Sequence, residues 1–536
     1  MARGLALAAA IVVSLLAVSG SGGAGAQTPK SGGVVVFGPV PEPNCLNPLT
    51  CANDNDFIVK AVLPAALAVA PDSTWKPRLV SSVTFTKKPP FTLTYRIRPE
   101  ARWSDGIPVT SQDFVFTHNA IRSAQITDVH GAVRSIRALD AKTVRVVLGA
   151  RDAGWRSLFP FVLPRHALAG EDLARVWSDR IDYPKTGSPI GSGPFLVGSW
   201  ERGKQLTLVR NRRYWGPHTS YLDRIVVRFR RTTRGTAPPA EVLEAVRQGG
   251  IDFVFSRDTS VVPELRRLPG FRVFPAAAGG REYLQIRIGP GGHPALRDKR
   301  VRRALAYGID RADIVRRLFG ELDPRYPPSD SAIFQPSHQS YRPNWDAYRY
   351  RPAESRRLLA QAGCHLGTDD IYVCGGKKLE LRLVTTAGAL LRERHVRLIQ
   401  AQLRQVGIQV VLSFAVGPAL FGQLLPSGDF DLASFTGFYS PDATRLKDIY
   451  GCGGSLNVTG YCQRLLTREL DQADRILDTA ARGRVLNRAD QQLAQDVPVI
   501  PLYEVPFVLA LRQTVRNVVV SPENLFWNAE NWWLAP

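Results

Sequence analysis

A chain of 536 residues is longer than one hydrophobic core supports, so several domains, or a domain with large insertions, are expected. Its 44% hydrophobic and 22% charged residues are ordinary for a soluble globular protein. Past the first few dozen residues no apolar run approaches the roughly 20 residues of a membrane-spanning helix. The net charge of +22 would suit nucleic acid, an anionic envelope or an acidic ligand. Arginine and lysine are spread along the chain in short pairs such as Arg230-Arg231 and Arg302-Arg303, with no basic tail, which implies a solvated basic surface and argues against nucleic acid.

In chain order, Arg3, an apolar stretch over residues 5–18 and a small-residue segment ending Ala24-Gly25-Ala26 have the layout of a cleaved export signal over residues 1–26. The apolar run does not end on a cysteine, so no lipid anchor is expected. Residues 33–37 form a short apolar strand, followed by a loop rich in Pro, Asn and Cys. Residues 91–97 alternate apolar and polar, the period of a half-buried strand. Asp105-Gly106 marks a turn, and Thr110 with Asp113 has the spacing of a helix start, with Phe114, Val115, Ala120 and Ile121 on the apolar face. Asp298 and Asp310 each precede a helical pattern, and a further helix from Pro352 ends at Gly363. Residues 379–383 alternate as a strand, residues 391–405 place Val396, Ile399 and Leu403 on one helix face, Gly407 stops that helix, and residues 408–414 return as a strand. Strand, helix, strand at this length is a βαβ unit with parallel pairing, so the fold class is α/β.

The six cysteines fall into local pairs, Cys45 with Cys51, Cys364 with Cys374 and Cys452 with Cys462. Many connectivities are open to six cysteines; three short staples in an oxidising compartment are the simplest. A zinc site is disfavoured, because no pair has ribbon spacing and the eight histidines show no paired metal spacing. No G-x-S-x-G elbow, H-E-x-x-H pair or Walker-type loop occurs, so no catalytic residue, metal ligand or cofactor is assigned.

Several blocks together resemble one family. They are Thr92-Leu-Thr-Tyr-Arg-Ile-Arg98, Trp103-Ser-Asp-Gly-Ile-Pro-Val-Thr110 with Asp113-Phe-Val-Phe116, and Ile190-Gly-Ser-Gly-Pro-Phe195 followed by Leu206-Thr-Leu-Val-Arg-Asn211 and Tyr214-Trp215. Further along come Tyr283-Leu284, Asp298-Lys-Arg-Val-Arg-Arg-Ala-Leu-Ala-Tyr307, Phe430-Asp431-Leu432 and Val497-Pro-Val-Ile-Pro-Leu-Tyr503. Their order and content are similar to the family 5 extracellular solute-binding proteins, the oligopeptide-, dipeptide- and nickel-binding components of ABC importers. The resemblance implies a two-lobed periplasmic-binding-protein fold of the large three-subdomain type, with a hinge and a central ligand cleft. Lobe I would comprise residues 27–54, 186–282 and 500–536, with an inserted α/β subdomain over 55–185; lobe II would span 283–499. Crossings near residues 276–283 and 497–505 would form the hinge.

The implied function is capture of a small solute, a peptide first, by an exported monomer that delivers it to membrane permease subunits in the periplasm or at the cell exterior. The alternatives are a secreted hydrolase on the same scaffold or, within the binding class, a sugar, metal chelate or haem as cargo. In peptide-binding relatives an aspartate after a Gly-aromatic strand holds the ligand's α-ammonium. The matching stretch is Gly437-Phe438-Tyr439-Ser440-Pro441-Asp442, which departs from the pattern in placing Pro441 before the aspartate. Asp442 would be the anchor, or else a turn cap after Ser-Pro; Gly437, Phe438 and Tyr439 would supply backbone pairing and an aromatic wall. Asn47 matches a cleft-facing loop, or a plain Asn-Pro turn. Tyr283 is a cleft or core tyrosine, and Arg287 stands where relatives have asparagine. Trp103 is expected to pack in the inserted subdomain, and Asn457-Val458-Thr459 is formally a glycosylation sequon.

Overall fold

The computed structural model describes residues 28–51, 56–124, 132–230, 239–438 and 441–536; the expected leader lies outside these residues. A ten-stranded sheet runs through the molecule. Its strands are β1 (Val34–Val40), β2 (Phe195–Glu201), β3 (Gln205–Arg210), β4 (Arg224–Phe229), β5 (Phe253–Ser256), β6 (Phe271–Ile286), β7 (Glu380–Thr386), β8 (Gln409–Ala415), β9 (Leu432–Phe438) and β10 (Val499–Arg512). In space the order is β2-β3-β4-β1-β5-β10-β6-β9-β7-β8.

Two lobes share this sheet. In the first, β1 pairs in parallel with β4 and β5, and β5 pairs antiparallel with the last part of β10. In the second, β7 lies parallel to β8 and β9, and β9 runs antiparallel to β6. Helix Leu390–Gln405 joins β7 to β8, which is the βαβ unit legible in the sequence; Val396, Ile399 and Leu403 are fully buried beneath it. Asp298 caps helix Lys299–Gly308 through the Arg300 N–H (2.8 Å), and Asp310 caps helix Arg311–Phe319 through the Asp313 N–H (2.8 Å), each satisfying a donor that the helix leaves unpaired.

Only β6 and β10 belong to both lobes among the described strands. They pair antiparallel from Phe271 opposite Arg512 to Gln285 opposite Val499. The register jumps where they pass between the lobes: Ala277 faces Pro506, yet the next pair is Arg281 with Glu504. The bulge contains Gly279 at φ +67°, where an added Cβ would sit 3.2 Å from the Pro522 carbonyl oxygen.

Between β1 and β2 the chain builds a four-stranded antiparallel sheet from Val80–Phe85, Phe91–Ile97, Thr143–Leu148 and Val133–Asp140. Helix Ser111–Ser123 covers it, and the Asp113 carboxylate accepts the Thr110 N–H at 2.7 Å. Trp103 is fully buried here. This part shares one apolar core with the first-lobe strands and the C-terminal tail, including Phe526, Ala529 and Trp532. A second core fills the other lobe. All six cysteines are bonded, Cys45–Cys51, Cys364–Cys374 and Cys452–Cys462. In the loop held by the last of these, the Asn457 amide donates to the Gly451 and Tyr461 carbonyls at 2.8 and 2.7 Å, so the sequon side chain is occupied in the fold.

Candidate ligand cleft

The lobes meet beside the β6 bulge and enclose a cavity of about 180 Å³. The first lobe supplies most of the wall: the helix Asp56–Val62, the hairpin around Trp75, the turn Ala153–Ser157, Tyr214-Trp215 and the tail from Ser521 to Glu530. The second lobe contributes Pro441 and Asp442. A smaller cavity of about 30 Å³ adjoins it, lined by Ser73, Gly279, Phe334 and His338, and shares Val69, Pro441 and Glu523 with the first. The larger space lies below the ~300–1,000 Å³ of sites for drug-sized ligands. A solute longer than that enters only with the lobes farther apart.

Around the cavity, contacts among the described residues tie the lobes together, with Asp442 at their centre. Arg156 of the first lobe donates to Asp442 Oδ1 at 3.1 Å, and the buried Arg482 of the second lobe donates to the same oxygen at 2.9 Å. The Ala153 N–H donates to the Asp474 carbonyl at 2.8 Å, the Ser73 and Ser337 hydroxyls lie 3.0 Å apart, and Leu477 packs against the first lobe's core. Burial pushes the Asp442 carboxyl up, against the pull of Arg156 and Arg482. Asp474 is raised to about 6, first by burial and also by the nearby Asp152.

The cavity wall is aromatic. Trp75, Tyr214, Trp215, Phe526 and Trp527 line it, and the Arg78 guanidinium lies 4.0 Å over the Trp527 ring while bonding Glu530 at 3.5 Å. Lys60 pairs with Asp56 at 2.6 Å and donates to the Glu523 carbonyl at 2.6 Å. Two wall groups are buried without a hydrogen-bond partner: the Trp75 indole N–H and the Ser521 hydroxyl. Arg156, Arg482, Trp75, Ser521 and Glu523 were not singled out by the sequence. They come from segments far apart in the chain, and the sole hint was the aromatic density of the tail after Leu525.

Of the residues the sequence did single out, the structure places Asp442 in the cavity with two guanidinium partners. Gly437 lies in β9 opposite Arg281, where an added Cβ would come 2.9 Å from Tyr283 Cε2. Phe438 ends β9 opposite Gly280; its side chain and Tyr439 lie outside the described residues. Beyond Ser434 the described part of β9 has β6 as its strand partner on one side, β7 having paired only from Leu432 to Ser434. Three residues named as cleft candidates do not line the cavity; Asn47 and Tyr283 take their alternative readings, and Arg287 is corrected. Asn47 is 1% exposed and donates to the Leu173 and Val176 carbonyls while accepting the Leu49 N–H, so its amide is spent anchoring its own loop. Tyr283 is a core residue, donating to the Ala332 carbonyl at 3.0 Å and accepting from Arg281. Arg287 follows the end of β6 remote from the bulge and donates to the Pro290 and Val458 carbonyls, away from the cavity.

Ser434, His395 and Glu282 form a hydroxyl–imidazole–carboxylate group in the second lobe, with Ser434 Oγ 2.8 Å from His395 Nε2 and 2.9 Å from Glu282 Oε1. All three are at most 1% exposed, Tyr503 closes the other imidazole nitrogen at 2.7 Å, and burial pulls the histidine down to about 4. The group is a buried structural network without access for a substrate. Among the described residues no cluster of three or more metal-ligating side chains occurs, and no described helix is long and apolar enough to cross a membrane.

Comparison with known proteins adds a family match, two relatives and two solved structures. Residues 74–457 match the family described as bacterial extracellular solute-binding proteins, family 5, middle. The oligopeptide-binding protein OppA of Mycobacterium tuberculosis is 26% identical over 476 residues, covering 86% of this chain and 77% of that one. The oligopeptide-binding protein AppA of Bacillus subtilis is 25% identical over 528 residues, 95% of this chain and 93% of its own. Its structure with a nonapeptide superposes with a TM-score of 0.71 over 95% of this chain and 100% of that one, at 22% identity. The periplasmic EDTA-binding protein EppA gives 0.79 over 95% and 98%, at 24% identity.

Proposed function

Since this chain belongs to family 5 of the bacterial extracellular solute-binding proteins, we propose that it captures a peptide between its lobes and hands it to an ABC-type import permease. The observation that carries this reading is the interlobe cavity lying next to the end of β9, a strand whose last residues keep one side free of a strand partner. An extended peptide can add its backbone to such an edge, which gives affinity without demanding particular side chains. The names of the relatives from Mycobacterium tuberculosis and Bacillus subtilis point the same way.

In this reading the hinge is the pair β6 and β10, bending at the bulge around Gly279. Lobe I comprises residues 27–54, 186–282 and 500–536 with the insertion 55–185, and lobe II comprises residues 283–499. Each lobe binds part of the solute, so closure is favoured only when both sets of contacts form, and the permease reads the closed shape. The protein works outside the cytoplasm as a monomer and releases its solute unchanged.

Native mass spectrometry of the purified protein, with release of what co-purifies, tests the cargo. A mixture of peptide masses is expected. A single sugar, haem or chelate mass would remove the peptide assignment and leave the clamp in place.

A further inference from the structure

The cavity has two electrical poles. At one, Asp442 faces Arg156 and Arg482, two cations to one anion. At the other stands Glu523, which lines both cavities and sits where they join. Lys60 is satisfied by Asp56 and by the Glu523 backbone carbonyl, and among the described residues no hydrogen bond or ion pair engages the Glu523 carboxylate itself. Glu523 is exposed to the cleft; surrounding atoms push its carboxyl up, Lys60 opposes, and the nearby Asp56 and Asp442 add to the rise.

The same cavity carries two buried polar groups without a well-formed hydrogen bond, Ser521 two residues before Glu523 and Trp75 on the Asp442 side. Ser521 is 2% exposed and its hydroxyl lacks a partner; the Trp75 indole N–H lacks one too, and both line the same cavity. A buried donor or acceptor left unpaired costs about 1–3 kcal/mol, so unpaired polar groups in one cavity mark a place where a polar ligand belongs.

We propose that Glu523, rather than Asp442, is the carboxylate that receives the solute's protonated amine, with Ser521 and Trp75 bonding polar atoms elsewhere on the solute in the same cavity. Asp442 has two guanidiniums to satisfy and serves instead to join the lobes. This assignment rests on the solute-clamp reading above and names the chemical group that the site selects: a cationic amine, as on a peptide with a free N-terminus.

The test uses the full purified chain and three probe sets: a tripeptide library with free N-termini, the same library N-acetylated, and amino sugars of similar size. Binding is read from ligand-induced shifts in melting temperature. Wild type is expected to prefer the free-amine library over the acetylated one by about tenfold in concentration, the size of one charge-assisted bond. Glu523→Gln should bring the two libraries within about twofold, Glu523→Asp should restore part of the preference, and Asp442→Asn should retain it. If amino sugars bind and tripeptides do not, and Glu523→Gln abolishes that binding, the peptide reading falls while Glu523 stands. If the preference survives Glu523→Gln, or wild type binds acetylated probes as well as free amines, or no amine probe binds, the assignment to Glu523 is overturned.

Discussion

Asp442 joins the lobes through one oxygen, and its two partners play different parts. Arg482 is 2% exposed and belongs to the same lobe, so its pairing with Asp442 persists whether the clamp is open or shut. Arg156 reaches across from the first lobe and keeps 19% of its side chain exposed. Arg482→Met should therefore lower stability by about 3 kcal/mol, the low end for breaking a buried pair because Arg156 remains. Arg156→Met should cost about 1 kcal/mol or less and act on closure; denaturant midpoints of the empty proteins check both. That Asp442 reaches the cavity was legible from its place after a Gly-aromatic strand. Its arginines were not, since Arg156 is 286 residues away in sequence and no local pattern pairs it with a carboxylate. Asn47 misled for the converse reason: Asn-Pro marks a turn equally well whether the amide faces a solute or ties down its own loop.

At the scale of elements, whatever was encoded locally was legible. Thr110 with Asp113, Asp298 and Asp310 start helices because a side-chain oxygen is placed against free N–H groups. The run Val396, Ile399 and Leu403 has the helical period and is buried accordingly. Long-range pairing was not legible: nothing near Val254 says that it will face Ala510. The crossover of β6 and β10 was visible only as a place where the chain changes lobe. Its bulge depends on Gly279 at φ +67°, a conformation that costs an L-residue roughly 1–2 kcal/mol. Gly279→Ala is expected to destabilise the protein by about that amount and to shift the balance of open and closed forms in small-angle scattering. An unchanged scattering curve with unchanged stability would show that the seam tolerates a side chain.

For the whole molecule, closure and protonation are linked. Asp474 is raised to about 6 in this arrangement, with Asp152 and Ala153 facing it from the other lobe, Arg445 N–H bonded to it, and Arg482 and Asp471 nearby. Asp152 across the cleft contributes to that rise; this share exists only with the lobes together, so the closed form is expected to gain as pH falls through about 6 and to lose as pH rises. Scattering between about pH 7 and about pH 5 should show a more compact empty protein at the lower value, and Asp474→Asn should flatten that response. One further consequence follows from the tail. Phe526, Ala529 and Trp532 are built into the same core as Val35 and Phe37, so β1 cannot be sealed before residues 526–532 have been made. Contacts between segments so far apart in sequence come late and are slow to find. The first lobe therefore closes its core later than the second, whose core is drawn from residues 283–503 alone.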